Sequence, residues 1–190
     1  MKNLIILFTI LITTGCYNDT NSKEFKEVIS FMIDKQAIPI PPPPAIDDLT
    51  TTTVSKKIID SLDKIKLKVA IYPTIDTFSE EEFKKIPEEY LDKFQIHGNS
   101  QKRLTLNGIS SRKGHKIVLA DTIKLKKHMD FKDYDFLFWF SDFYFSDDNK
   151  KVLFNLGLSR SRLAGNSTLY ILKKENNQWE IENSRYISEW

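Results

Sequence analysis

Phe136-Leu137-Phe138-Trp139-Phe140-Ser141-Asp142-Phe143-Tyr144-Phe145 is the densest aromatic run of the chain. Aromatic side chains lose rotamer freedom in a helix and pack well on a pleated surface, so the run predicts strand. Working outward, Asp147-Asp148-Asn149-Lys150 is a turn, Val152 to Leu158 a strand and Gly165-Asn166 a second turn. Thr168 to Leu172 is another strand, Asn176-Asn177 a third turn, and Trp179 to Ile187 a last strand. Strands joined by such short turns pair antiparallel with their neighbours, giving a meander over residues 134–190. Core packing claims at least one face of the aromatic run, and a second, uncovered aromatic face would be an interaction surface.

Toward the N-terminus the period changes. Leu104, Leu106 and Ile109 predict one short strand and Ile117-Val118-Leu119 another. Ser79 before Glu80, Glu81 and Glu82 marks a helix start with acids at the positive end of the dipole. Pro87 stops or restarts that helix, and Glu88 to Phe94 continues it until His97-Gly98-Asn99. Val54, Ile58, Ile59, Leu62 and Ile65 share a helical face, and Leu67, Val69 and Ile71 alternate as a strand ended by Tyr72-Pro73. In residues 23–36, Phe25, Val28, Ile29, Met32 and Ile33 recur at helical spacing behind Asn21 or Ser22 as N-cap. The proline-rich linker, residues 37–50, favours polyproline II around Pro39 and Pro41 to Pro44, as a stiff spacer, as a ligand for an aromatic groove, or packed across the surface.

The expected fold is therefore α+β, with N-terminal amphipathic helices packed on one face of a mainly antiparallel sheet, residues 51–190 forming a single domain. The 190 residues carry 28 Lys plus Arg against 26 Asp plus Glu, a balance of +2, with 41% hydrophobic residues. Such a composition excludes the disordered, collagenous and disulfide-rich classes, and its mixed charges argue against a nucleic-acid partner.

Residues 1–15 combine a basic start at Lys2, an apolar run from Leu4 to Ile12 and the small residues Thr13-Thr14-Gly15 before Cys16, the only cysteine. The run is shorter than the roughly 20 residues needed to cross a bilayer and fits a secretory signal. The segment resembles a bacterial lipoprotein signal, which implies that Cys16 is the lipidated N-terminus of the mature protein and residues 16–22 a tether. Thr13 stands where that signal commonly has Leu. The resemblance implies a membrane partner through Cys16 and, with Tyr17 rather than Asp next, delivery to the outer membrane. An alternative for Cys16 is a buried free thiol at the end of an apolar helix.

Signals for catalysis are sparse. His97, His115 and His128 have no ligand-type spacing, and nucleotide loops and nucleophile elbows are absent, so neither metal nor cofactor is expected. Asp130, Asp133, Asp135, Asp142, Asp147 and Asp148 leave open a hydrolase working through paired carboxylates, although no pair is singled out and turn-forming or solubilising roles are commoner. Arg160 and Arg162, alternating with Ser159 and Ser161, are candidates for gripping a carboxylate or phosphate; the plainer reading is a solvated strand end.

The C-terminal third also resembles a group of Bacteroidota lipoproteins with no assigned activity. The resemblance rests on Ser141-Asp142-Phe143-Tyr144-Phe145, the turn from Asp147 to Lys151, the strand Val152 to Leu158, and Leu172-Lys173-Lys174-Glu175-Asn176-Asn177-Gln178-Trp179. Where that group often has a Cys-Gly pair or glycine cluster, this chain has Arg162-Leu163-Ala164-Gly165-Asn166, so no shared site is implied there. The functional expectation is a lipid-anchored envelope protein acting as a binding or accessory module toward an envelope protein or glycan. The alternatives are an envelope hydrolase and a membrane-held immunity or inhibitor protein.

Overall fold

A computed structural model describes residues 22–39, 60–91, 94, 102–126, 133–161 and 164–189. Within them run α1 (Lys23–Gln36), β1 (Lys68–Asp76), α2 (Glu80–Lys84), α3 (Glu88–Leu91), β2 (Lys102–Arg103), β3 (Lys116–Leu119) and α4 (Thr122–Lys126). The meander follows as β4 (Phe136–Ser141), β5 (Tyr144–Phe145), β6 (Lys151–Ser161), β7 (Ala164–Glu175) and β8 (Gln178–Glu189). The predicted signal, tether, most of the proline-rich linker and residues 54–59 of the predicted second helix lie outside the described residues; 60–62 are helical.

All eight strands form one sheet in the order β2-β1-β4-β6-β7-β8, with β3 also on β1 and β5 also on β6. The pairs from β4 to β8 are antiparallel, as local turns dictate. At the β7–β8 turn, Asn176 and Asn177 both take positive φ, 49° and 61°, the conformation of a type I′ hairpin that matches strand twist. The β6–β7 connection differs from expectation: Gly165 and Asn166 are inside β7, whose pairing with β6 runs as far as Ser161 opposite Ala164.

Two further differences concern β1. It pairs parallel with both β3 and β4, so the sheet is mixed at this side and antiparallel elsewhere. It also continues through Tyr72-Pro73 to Asp76. Pro73 is tolerated because the β1–β4 register shifts between Ile71 and Ile75, so its missing N–H falls at a ladder irregularity, while its carbonyl accepts from Leu104 N–H at 2.8 Å. The expected strand over Leu104 to Ile109 does not form; the two-residue strand Lys102–Arg103 precedes it, and Leu104 is buried just beyond.

Helices cover both faces rather than one. Ser22 caps α1, its Oγ accepting from Phe25 N–H at 3.2 Å. Val28, Ile29, Met32 and Ile33 are fully buried against one sheet face, where Phe136, Phe138, Phe140, Phe154 and Leu156 lie. Phe143 fills the seam, its ring centroid 4.7 Å from that of Phe25 and 4.7 Å from that of Phe154. On the opposite face Leu153, Leu169 and Ile171 pack with Ile86, Tyr90 and Phe94, and Ala70 and Leu137 pack with Ala120. The expected break at Pro87 separates α2 from α3, and Ser79 with Glu82 forms a capping box at α2. The aromatic run is thus divided between two cores, with Trp139 and Phe145 half-buried.

Candidate binding groove

α1 carries polar residues on the face away from its buried stripe. There Ser30 Oγ accepts from Ser110 N–H at 3.0 Å, and Asp34 accepts from the Ser111 hydroxyl at 2.5 Å and Arg112 N–H at 3.0 Å. These bonds fasten the 108–113 loop along the helix. Gly108 lets the loop come this close: its φ is +83°, and a Cβ there would lie 2.9 Å from Lys26 Cδ. On the same outward face, two turns before Asp34, Glu27 accepts from Lys174 at 2.7 Å and lies 3.6 Å from Lys23, tying α1 to β7. Partial burial works against ionisation of Glu27, but Lys174, Lys23 and the Trp179 indole outweigh it and lower the pKa.

A concavity of about 1000 Å³ lies among α1, this loop and the β7–β8 turn. Phe31 and Trp179 give it an aromatic part, and Lys35 sits 5.7 Å from the Phe31 ring centroid. Its lining carries five cations, Lys23, Lys26, Lys35, Arg112 and Lys113, against Glu27, Asp34 and Glu180, a surplus of two (5 − 3). Two of those carboxylates are already engaged inside the protein. Among the described residues no carboxylate lies within ion-pair distance of Lys26, Lys35, Arg112 or Lys113. The groove is therefore suited to an anion with an apolar portion.

The groove contains none of the residues singled out from sequence for binding. Arg160 is exposed at the opposite end of β6 from the β7–β8 turn, its guanidinium 4.8 Å from the Phe136 ring centroid; Arg162, Cys16, His97, His128 and Asp130 lie outside the described residues. One signal could have found it: from Lys93 to Ala120 the chain has no acid but carries Lys93, Lys102, Arg103, Arg112, Lys113 and Lys116.

Most of the described aspartates do local work. Asp135 accepts from Lys68 N–H at 2.6 Å, Asp148 from Ser146 Oγ and Lys150 N–H at 2.7 and 3.0 Å, and Asp133 is 3.8 Å from Lys124. Asp142 differs, being 1% exposed and 3.8 Å from Lys102, an ion pair joining β2 to the β4–β5 corner. Beside it burial, Asp142 and Glu82 push the Tyr144 hydroxyl up to about 12. Glu82 is hydrogen-bonded to Asn155, which also accepts from Ser167 Oγ at 2.9 Å. This cluster knits α2, the β4–β5 corner, β6 and β7 together, and none of it lines the concavity along α1. Among the described residues no group of His, Cys, Asp and Glu could hold a metal ion, and no helix is long and apolar enough to cross a membrane.

His115 is buried at the far end of α1. Its Nδ1 accepts from Leu67 N–H at 3.2 Å, which leaves the ring proton on Nε2. Burial lowers its pKa, the Ala37 carbonyl and Asp34 oppose the shift, and Lys113 and Lys66 add to it.

No family model, no curated protein and no solved structure matches this chain.

Proposed function

We propose that this is a lipid-anchored protein of the cell envelope, delivered to the outer membrane, whose folded body binds a partner and does not perform catalysis. The observation that carries the reading is the nearness of two features: the lipoprotein-like segment ends at Cys16, and seven residues later Lys23 opens α1, the helix that builds the groove. Several acyl chains on one cysteine anchor durably, where a single chain binds marginally. The assignment of described aspartates to turns, strand flanks and an internal ion pair favours binding over the paired-carboxylate hydrolase. Arg160, exposed at the other end of the sheet, is kept as a second contact point for an envelope protein or glycan.

The test is fractionation and intact mass after expression in a bacterial host with lipoprotein processing. The wild-type chain should pellet with membranes and show a mature mass beginning at Cys16 plus diacylglyceryl and acyl groups. Cys16→Ala should abolish that mass and the processing. An unmodified wild-type mass overturns the anchor.

A further inference from the structure

We propose that the groove along α1 receives the phosphate-bearing headgroup of an anionic membrane lipid, so that the folded body docks on the bilayer holding its anchor; the inference rests on Cys16 being lipidated. Three observations converge on this ligand.

The first is charge. Lys26 crosses the loop at Gly108, and Arg112 and Lys113 continue the row from the loop itself, so these cations come from two elements pinned together by Ser30 and Asp34. Of the three lining carboxylates, Asp34 and Glu27 have internal partners, so even with Glu180 the row keeps a surplus of positive charge that the phosphate of a headgroup would complement. Lys ammonium groups and an Arg fork suit phosphate oxygens.

The second is the aromatic part of the lining. Phe31 and the mostly buried Trp179 offer apolar surface next to the cations, which a free inorganic anion would not use and the glycerol and first methylenes of a lipid would. Indole and lysine side chains each combine an apolar body with a polar tip, as the bilayer interface requires.

The third is reach. Lys23 lies seven positions after Cys16, and at roughly 3.3–3.6 Å per residue the chain spans at most about 25 Å. α1 has 14 residues and is about 21 Å long at ~1.5 Å per residue. The groove thus begins within one short tether of the headgroup layer, where basic side chains are drawn to an anionic surface.

The experiment is native mass spectrometry of the full processed chain, purified in neutral detergent and offered phosphatidylglycerol and phosphatidylcholine in equal amounts, with inorganic phosphate in a separate arm. The expected result is a phosphatidylglycerol adduct at least tenfold more abundant than the phosphatidylcholine adduct and reduced about tenfold in Lys26→Glu/Arg112→Glu. Lys35→Glu, at an exposed position, should reduce it severalfold and serves if the double variant does not fold. Equal adducts of the two lipids, or an adduct indifferent to both variants, overturn the groove as a headgroup site. Retention of inorganic phosphate as strongly as the lipid overturns the lipid as its occupant. The same spectra report the intact mass, so loss of the anchor reading, seen as a chain without acyl groups, is distinguished from failure of the groove.

Discussion

Gly157→Ala should destabilise the protein, against the ordinary direction for glycine in a strand. Gly157 on β6 pairs with Trp139 on β4, and the indole lies over the glycine. A Cβ built there sits 1.7 Å from Trp139 Cε2 and 1.8 Å from Nε1, whereas ordinary contact begins at 3.4 Å. The ring must withdraw by about 1.7 Å (3.4 − 1.7), and because its partner atom is backbone-fixed Cβ, the whole indole has to move. Overpacking of this kind costs about 1–3 kcal/mol, while relieving the backbone entropy of glycine returns about 0.5–1 kcal/mol. The net loss is about 1–2 kcal/mol, and for a domain of this size each kcal/mol moves Tm by about 2–4 °C. Thermal unfolding of Gly157→Ala should therefore show Tm lower by about 2–8 °C. In a Trp139→Ala background the added methyl should cost little, giving a coupling of about 1–3 kcal/mol in a double-mutant cycle. An unchanged or raised Tm for Gly157→Ala, or a penalty that persists without Trp139, would refute the contact.

Three other outcomes follow from the site and its surroundings. His115 has a folded pKa below its ordinary 6.5, so it favours the neutral ring; its contribution is present above pH 6.5 and is lost as pH falls below it, at no more than about 1.4 kcal/mol per pH unit. Tm measured from pH 7.5 to 5 should fall less steeply in His115→Asn than in the wild type, and parallel curves would remove the assignment. Asp142→Ala leaves Lys102, whose side chain is 18% exposed, beside an emptied corner, and should lower stability by about 3–5 kcal/mol in urea titration. Asn177→Ala places a Cβ-bearing residue with no amide at φ 61° and should cost about 1 kcal/mol, whereas Asn177→Gly should be neutral or better.

The meander was legible because its pairing is local: Asn176-Asn177 sets a two-residue hairpin, and the apolar run Val152 to Leu158 marks the strand before it. The β6–β7 turn was misplaced because Gly165-Asn166 has turn chemistry, yet Asn166 pairs with both Leu158 and Glu189 as a strand residue. The parallel pairing of β1 with β4 was not legible, since Val69 meets Phe136 across 67 residues and neither sequence carries a mark of the other. Nor does periodicity reveal that helices cover both faces; that follows from Leu153, Leu169 and Ile171 being as apolar as the residues opposite them. The polar flank of α1 could be read as an ordinary solvated face. It becomes a groove only when Ser30 and Asp34 take hold of Ser110, Ser111 and Arg112, some eighty residues later, through hydrogen bonds that leave no periodic trace.

The placement of the groove on α1 has a mechanical consequence under the proposed anchoring. Any pull between membrane and body enters the described fold at Ser22 and loads α1 first. Val28, Ile29, Met32 and Ile33 are each fully buried, and at about 1.5–3 kcal/mol per side chain they hold the helix with about 6–12 kcal/mol. That is comparable with the whole stability of a typical domain, about 5–15 kcal/mol, so α1 cannot leave the sheet without unfolding the core. The bonds from Glu27 to Lys174 and from Asp34 to the loop then fix the cations relative to that core. A headgroup bound in the groove would share the load with the tether, because its contacts and the buried stripe belong to the same helix. Truncating Val28 or Ile29 should consequently weaken headgroup binding and lower Tm together, whereas charge reversal at Lys26 and Arg112 should separate them, reducing the first about tenfold with little change in the second.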